Sequence, residues 1–145
     1  MDRDDGISLD HQGLEVLSTD ECWQRIREAP VGRVAFVAGG EPLVLPVNHA
    51  TVGHRIVFRT ARGALLHEAL LTRSVAFEVD DFDRDARSGW SVLVRGQADI
   101  PRDSSDLEAL NLDAWADATQ RDDWVQILAE EVTGRRIVHP PPADA

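Results

Sequence analysis

The stretch FRTARGALL, residues 58–66, gathers the residue types that can hold a phosphate. Arg59 and Arg62 are cations, Thr60 is a hydroxyl, and Gly63 permits close backbone approach. An apolar, helix-like run begins at Leu65. A phosphate at such a strand-to-helix turn meets guanidinium groups and the unpaired N–H groups of a helix start. Ala64 and Leu65, however, carry no polar side-chain atom. The sequence thus allows a phosphate cradle, a reduced cradle, or a plain turn. In the plain turn Arg59 is strand-end charge, Thr60 a helix cap and Arg62 a solvated cation.

Other reactive side chains are sparse. His49, His54 and His67 lack a compact zinc spacing, so no metal site is expected. The run Glu78, Asp80, Asp81, Asp83, Asp85 lacks the glycine and terminal glutamate of a calcium loop, and reads as a solvated loop. No Ser/His/Asp spacing stands out. Cys22 falls on an amphipathic helix and reads as a buried structural thiol. His49 reads as a strand histidine with a satisfied ring, or as a ligand contact. All 15 basic residues are arginine. Schiff-base chemistry is excluded, and any anion must be bound by arginine, hydroxyl or backbone groups.

These residues need a scaffold. A chain of 145 residues with 43% hydrophobic content suits one domain with a real core. The net charge of −11 argues against nucleic acid or an anionic membrane as partner. One cysteine, no signal-type apolar run and no membrane-length apolar run point to a cytoplasmic setting. Residues 1–13 read as an N-terminal tail, 14–138 as the domain, and 139–145 as a Pro-rich tail.

Within the domain, LSTDECWQRIREAP predicts a helix, with Ser18 and Glu21 at capping-box spacing and Pro30 as its stop. RVAFVA, LVLPVNHATV and RIVFR predict three strands, with turns at GGEP, residues 39–42, and at Val52-Gly53-His54, and a bend at Pro46. Residues 63–72 read as a short helix. SVAFEVDDF and WSVLVRGQADI are two further strands, the second with a bulge at Gly96. SSDLEALNL reads as a capped helix, DDWVQIL as a sixth strand, and EEVTGRRI as a closing turn and extension. Six short strands with interspersed helices predict a mainly β fold, a small antiparallel barrel.

The order PVGRVAF, LPVN, FRT..G, VAFEVDDFD, GWSVLVRG, VTGRRI resembles the pyridoxamine 5′-phosphate oxidase-like family, the FMN-binding split barrels, in its nitroimidazole-reductase-like branch. The resemblance spans about residues 17–137. It implies a six-stranded antiparallel split β-barrel, a homodimer, and FMN in the dimer groove. Carried over, Leu45, Pro46, Val47 and Asn48 would offer backbone groups to the flavin ring. Arg59 and Thr60 would take phosphate and ribityl groups, with Arg62 and Gly63 completing the turn. Trp90 and Ser91 would lie near the flavin, and Trp115 would come from the partner subunit.

Many relatives carry a small hydroxyl residue and a lysine where this chain has Ala64 and Leu65. Each lost charge-assisted bond costs on the order of 1.5–3 kcal/mol. Two readings follow. One is a flavin-dependent oxidoreductase acting on a small molecule, with FMN or a deazaflavin, in which the flavin does the chemistry and no side chain is named as catalytic. The other is a non-catalytic split-barrel dimer that has lost tight flavin binding and holds another planar ligand.

Overall fold

The computed structural model describes residues 9, 13–61, 74–112 and 122–137. The expected helix at 63–72, with Arg62, Gly63, Ala64 and Leu65, lies outside the described residues, as do Trp115, most of the N-terminal tail and the C-terminal tail.

Ser18 opens helix α1, Thr19–Glu28, with the capping box complete: its hydroxyl accepts from the Glu21 N–H while the Glu21 carboxylate accepts from the Ser18 N–H. Cys22, Trp23 and Ile26 recur at helical spacing and are buried. Seven strands accompany the helix: β1, Glu15–Val16; β2, Val31–Ala38; β3, Glu41–Val52; β4, Arg55–Ala61; β5, Ser74–Asp83; β6, Ser88–Asp99; β7, Asp122–Arg136. Their order is β1-β7-β4-β3-β2-β5-β6, and β6 also pairs with β7. β7, β4, β3, β2, β5 and β6 therefore close a six-stranded antiparallel ring, to which β1 adds two residues. Closure removes most sheet edges.

Inward residues alternate with outward ones along each strand, as the pleat requires. Val34, Phe36, Phe58, Phe77, Val79, Val92, Val94 and Ile127 fill the barrel, and α1 plugs it with Cys22, Trp23 and Ile26. Two further contacts seat the helix. His54, in the β3–β4 turn, stacks on Trp23 with ring centroids 4.7 Å apart. The Gly134 backbone passes under α1 so closely that a Cβ there would lie 2.6 Å from Cys22 Sγ.

Turns at Gly39-Gly40 and Gly53-His54 join two-residue hairpins as expected, with positive φ at all three glycines. The ladder shifts register at Arg95/Gly96, and the extra residue, Glu130, is on β7. EEVTGRRI, expected as a closing turn and extension, has no turn and simply continues β7 through Arg136: Gly134 is there for close helix approach. SSDLEALNL, expected as a capped helix, is a single 3-10 turn, Glu108–Leu110, whose Leu107 cap has no side-chain hydrogen bond. The acidic run is not a loop through Asp83, because β5 extends that far and only Arg84–Arg87 turn. Among the described residues no helix is long and apolar enough to cross a membrane.

Candidate functional site

β3 changes partners along its length. Glu41–Asn48 pairs with β2, and His49–Val52 pairs with β4. The β3–β4 ladder stops at His49 opposite Phe58, while Arg59–Ala61 of β4 pair on their other side with β7. An opening therefore begins where Asn48 and Arg59 part. Along it, residues 41–48 have a strand on one side only among the described residues. That explains how Pro46, which has no N–H, sits inside a twelve-residue strand. Leu45, Pro46, Val47 and Asn48 thus present one backbone edge beside Arg59 and Thr60. The structure brings the backbones of these six candidates together, while the Arg59 and Thr60 side chains take opposite faces of β4.

Arg59 is engaged on the outside of the barrel. Its guanidinium carbon lies 5.3 Å from the centroid of the Trp124 ring, its direct cross-strand neighbour, and Nη1 donates to the Leu112 carbonyl at 3.3 Å. A cavity of about 290 Å³ there is lined by Arg59, Ser104, Glu108, Asp123 and Trp124, and Glu108 accepts from the Trp124 indole N–H at 3.1 Å. Thr60 alternates to the inner side and is buried.

From the β3 edge an exposed sheet face runs through a row of directly paired residues: Pro46, Arg33, Glu78, Leu93, Thr133. Arg33 Nη1 bridges Glu78 Oε1 at 3.1 Å and Asp80 Oδ2 at 3.0 Å. Burial, and then the hydrogen bond and charge of Asp80, push the Glu78 carboxyl up to about 7 against the opposing pull of Arg33. Ala35, Val44, Ala76 and Leu93 give this acidic pair an apolar surround, in a cavity of about 380 Å³.

Ser91 lies farther along the same face, opposite Asp80, and Trp90 beside it alternates to the inner side, packed against the core at the end of the barrel. From β3 to β6 is three strand spacings, about 14 Å. The two residues line a cavity of about 400 Å³ with Leu14, Phe82, Arg135, Arg136 and Ile137. Arg25, from α1, sits over the Trp90 ring at 4.9 Å. The sequence reading missed Arg25, Arg135 and Arg136. The only signal was VTGRRI, whose arginines reach Trp90 through the β6–β7 register.

His49 is buried, and its Nε2 donates to the Ile26 carbonyl at 2.8 Å, which leaves Nδ1 as a bare acceptor with no partner beside Phe77. Burial pushes its pKa below the ordinary histidine value. The ring points into the core, so the expectation of a strand histidine holds, although only one nitrogen is satisfied. Cys22 is buried, and burial raises its thiol pKa. Among the described residues no group of His, Cys, Asp or Glu could hold a metal ion.

Comparison with known proteins bears on this geometry. The family model for pyridoxamine 5′-phosphate oxidase matches residues 18–136. The uncharacterized protein Rv0080 of Mycobacterium tuberculosis is 35% identical over 129 residues, covering 84% of each chain. Among solved structures, the FAD-binding protein from Mycobacterium smegmatis is 35% identical, with a TM-score of 0.69 over 84% of this chain and 97% of its own. An FAD-binding protein from Mesorhizobium loti shares the fold at 24% identity, with a TM-score of 0.72 over 87% of this chain and 98% of its own.

Proposed function

Because the chain belongs to the pyridoxamine 5′-phosphate oxidase family, we propose that it binds a flavin nucleotide along the Leu45–Asn48 edge and acts, as a homodimer, as a flavin-dependent oxidoreductase on a small molecule. The observation that carries this reading is the one-sided strand edge of β3 beside Arg59 and Thr60. A flavin ring carries donors and acceptors along its rim. N–H and C=O groups point to opposite edges at successive residues, so with Pro46 turned away from β2 its carbonyl and the Asn48 N–H can meet them without breaking a ladder, while Leu45 and Val47 pair with β2. The strand edge therefore fits the ring. The name of the M. smegmatis relative supports a flavin, and FMN and FAD share the ring, ribityl chain and first phosphate.

When bound, the flavin would supply hydride or electron transfer. The chain's own residues bind and orient. The β3 edge would hold the ring, Arg59 and the Thr60 backbone would take the ribityl–phosphate end, and Arg62 and Gly63 would belong to that end of the site. Ser91 would border the ligand, Trp90 would support the strand from the inner side, and the partner's copy of Trp115 would close the groove. The exposed Val31, Val37, Val44 and Leu93 around the open edge give a second chain an apolar surface to cover.

One observation favours a weaker, non-catalytic binder. Arg59 already stacks on Trp124 and bonds to Leu112, with Glu108 and Asp123 beside it, so a phosphate must draw it out of an occupied position. Visible absorption of the purified protein, then fluorescence titration with FMN, FAD and a deazaflavin, tests both readings. Arg59→Ala should weaken FMN about 10-fold and leave riboflavin unchanged, and Leu65→Lys should strengthen FMN about 10-fold. Equal losses for FMN and riboflavin would remove the phosphate from Arg59. No saturable flavin binding would leave the second reading.

A further inference from the structure

Pro30 leaves one carbonyl of α1 without its helical donor. In an α-helix the Ile26 carbonyl accepts from the N–H four residues on, and residue 30 is a proline, which has none. The preceding bond is in place, with the Ala29 N–H donating to the Arg25 carbonyl at 3.0 Å. The Ile26 carbonyl is instead met from outside the helix, by His49 Nε2 at 2.8 Å. Both residues are shut away from water: Ile26 is fully buried and His49 is 7% exposed. A buried carbonyl left unpaired is costly, so this bond holds the imidazole in the tautomer with its proton on Nε2.

The donor comes from one particular point of β3. Asn48 is the last residue of the strand opposite β2, and His49 is the first opposite β4. The strand changes partner between the two. Two ties run from the end of α1 to this junction. One is covalent: the chain leaves α1 at Ala29, passes Pro30 and enters β2 at Val31, directly opposite Asn48. The other is the His49 bond to Ile26, which closes a gap of 23 residues. Phe77 stands edge-on to the imidazole at 4.9 Å, and Phe58 is the direct cross-strand neighbour of His49.

We propose that His49 is a positioning residue for the ligand edge: its bond to the Ile26 carbonyl locks β3 to α1 at the partner change and so fixes the direction of the Asn48 backbone. This role rests on the reading that a flavin ring lies along that edge. His49 points into the core while the Asn48 side chain alternates outward, so the imidazole does not itself touch the ligand. It acts through the main chain. A hydrogen bond weakens steeply as its angle closes, so a backbone that can swing at Asn48 loses much of its bond to the ring rim.

Fluorescence titration of the full chain with riboflavin and with FMN, well below every variant's melting temperature, tests the role. His49→Leu removes the donor and keeps an apolar side chain in the core. It should weaken riboflavin and FMN by the same factor, about 10-fold, because the loss is at the ring and not at the phosphate. His49→Gln keeps a side-chain N–H for Ile26 and should bind both within about 3-fold of the wild type. Ile127→Ala truncates a fully buried residue of β7, a strand that does not pair with β3, and serves as the stability control. Its melting temperature should fall while its affinities stay at the wild-type value. Coupling is reciprocal, so riboflavin should also slow solvent exchange of the His49 Nε2–H proton in the wild type, a reading that needs no variant to fold. Wild-type riboflavin affinity in His49→Leu, equal losses in His49→Leu and His49→Gln, an equal loss in Ile127→Ala, or unchanged exchange of the imidazole proton would each overturn the role of His49 and leave the flavin edge standing. No saturable riboflavin binding by the wild type would overturn the flavin reading and this role with it.

Discussion

The pH dependence of stability should come from two groups with opposite signs. His49 is held neutral, with Nε2–H on the Ile26 carbonyl and Nδ1 in an apolar surround. Its folded pKa lies below the ordinary value of 6.5. Below pH 6.5 the unfolded chain takes up a proton that the folded chain refuses, so His49 removes stability as the pH falls. That loss grows as the pH falls from 6.5 toward the folded pKa. Glu78 works the other way. Its folded pKa of about 7 lies above the ordinary 4.5. Between those values the folded chain holds a proton that the unfolded chain has lost, so stability falls as the pH rises through this window. From pH 5 to 6.5 the two slopes oppose each other, so the wild type should vary less with pH than a variant lacking either group.

Single substitutions separate them. Glu78→Gln leaves His49 alone, and urea midpoints should fall on acidification from pH 7 to 5.5. His49→Gln, whose amide can still donate to Ile26, leaves Glu78 alone, and stability should fall as the pH rises from 5 to 7. The same acid slope in His49→Gln as in Glu78→Gln would refute the assignment of the acid loss to His49.

Two other substitutions or probes check the packing. A Cβ on Gly32 would collide with the fully buried Phe77 ring, so Gly32→Ala should cost about 1–3 kcal/mol in urea unfolding. Adding Phe77→Leu should recover part of that loss as a coupling energy, and strict additivity would show that the ring is not the obstacle. The Cys22 thiol, buried with a raised pKa, should react with a disulfide reagent far more slowly in the native chain than in urea. Immediate stoichiometric labelling would contradict the burial.

Much of the frame was legible because local rules determine it. Ser18 with Glu21, the paired glycines before Glu41 and the Gly53-His54 turn each act within a few residues of chain. Glycine was also where the reading failed. Gly134 marks a close helix approach rather than a turn, and nothing within EEVTGRRI distinguishes the two, because the obstacle is Cys22, more than a hundred residues away. The β3 edge was readable through Pro46 and the family resemblance. The stacking of Arg59 on Trp124 was not, since it follows from the β4–β7 register, and a register is set by the closure of the whole barrel. The convergence of Arg25, Arg135 and Arg136 on Trp90 was hidden for the same reason: it joins α1, β6 and β7.

Amide hydrogen exchange with and without FMN tests the central claim most directly, because it reads the backbone edge itself. The account predicts slowed exchange at the Asn48 amide, which faces away from β2 on the same edge as Pro46, with Leu45 and Val47, whose amides point to β2, unchanged. FMN that binds while the Asn48 amide exchanges as fast as before would contradict it.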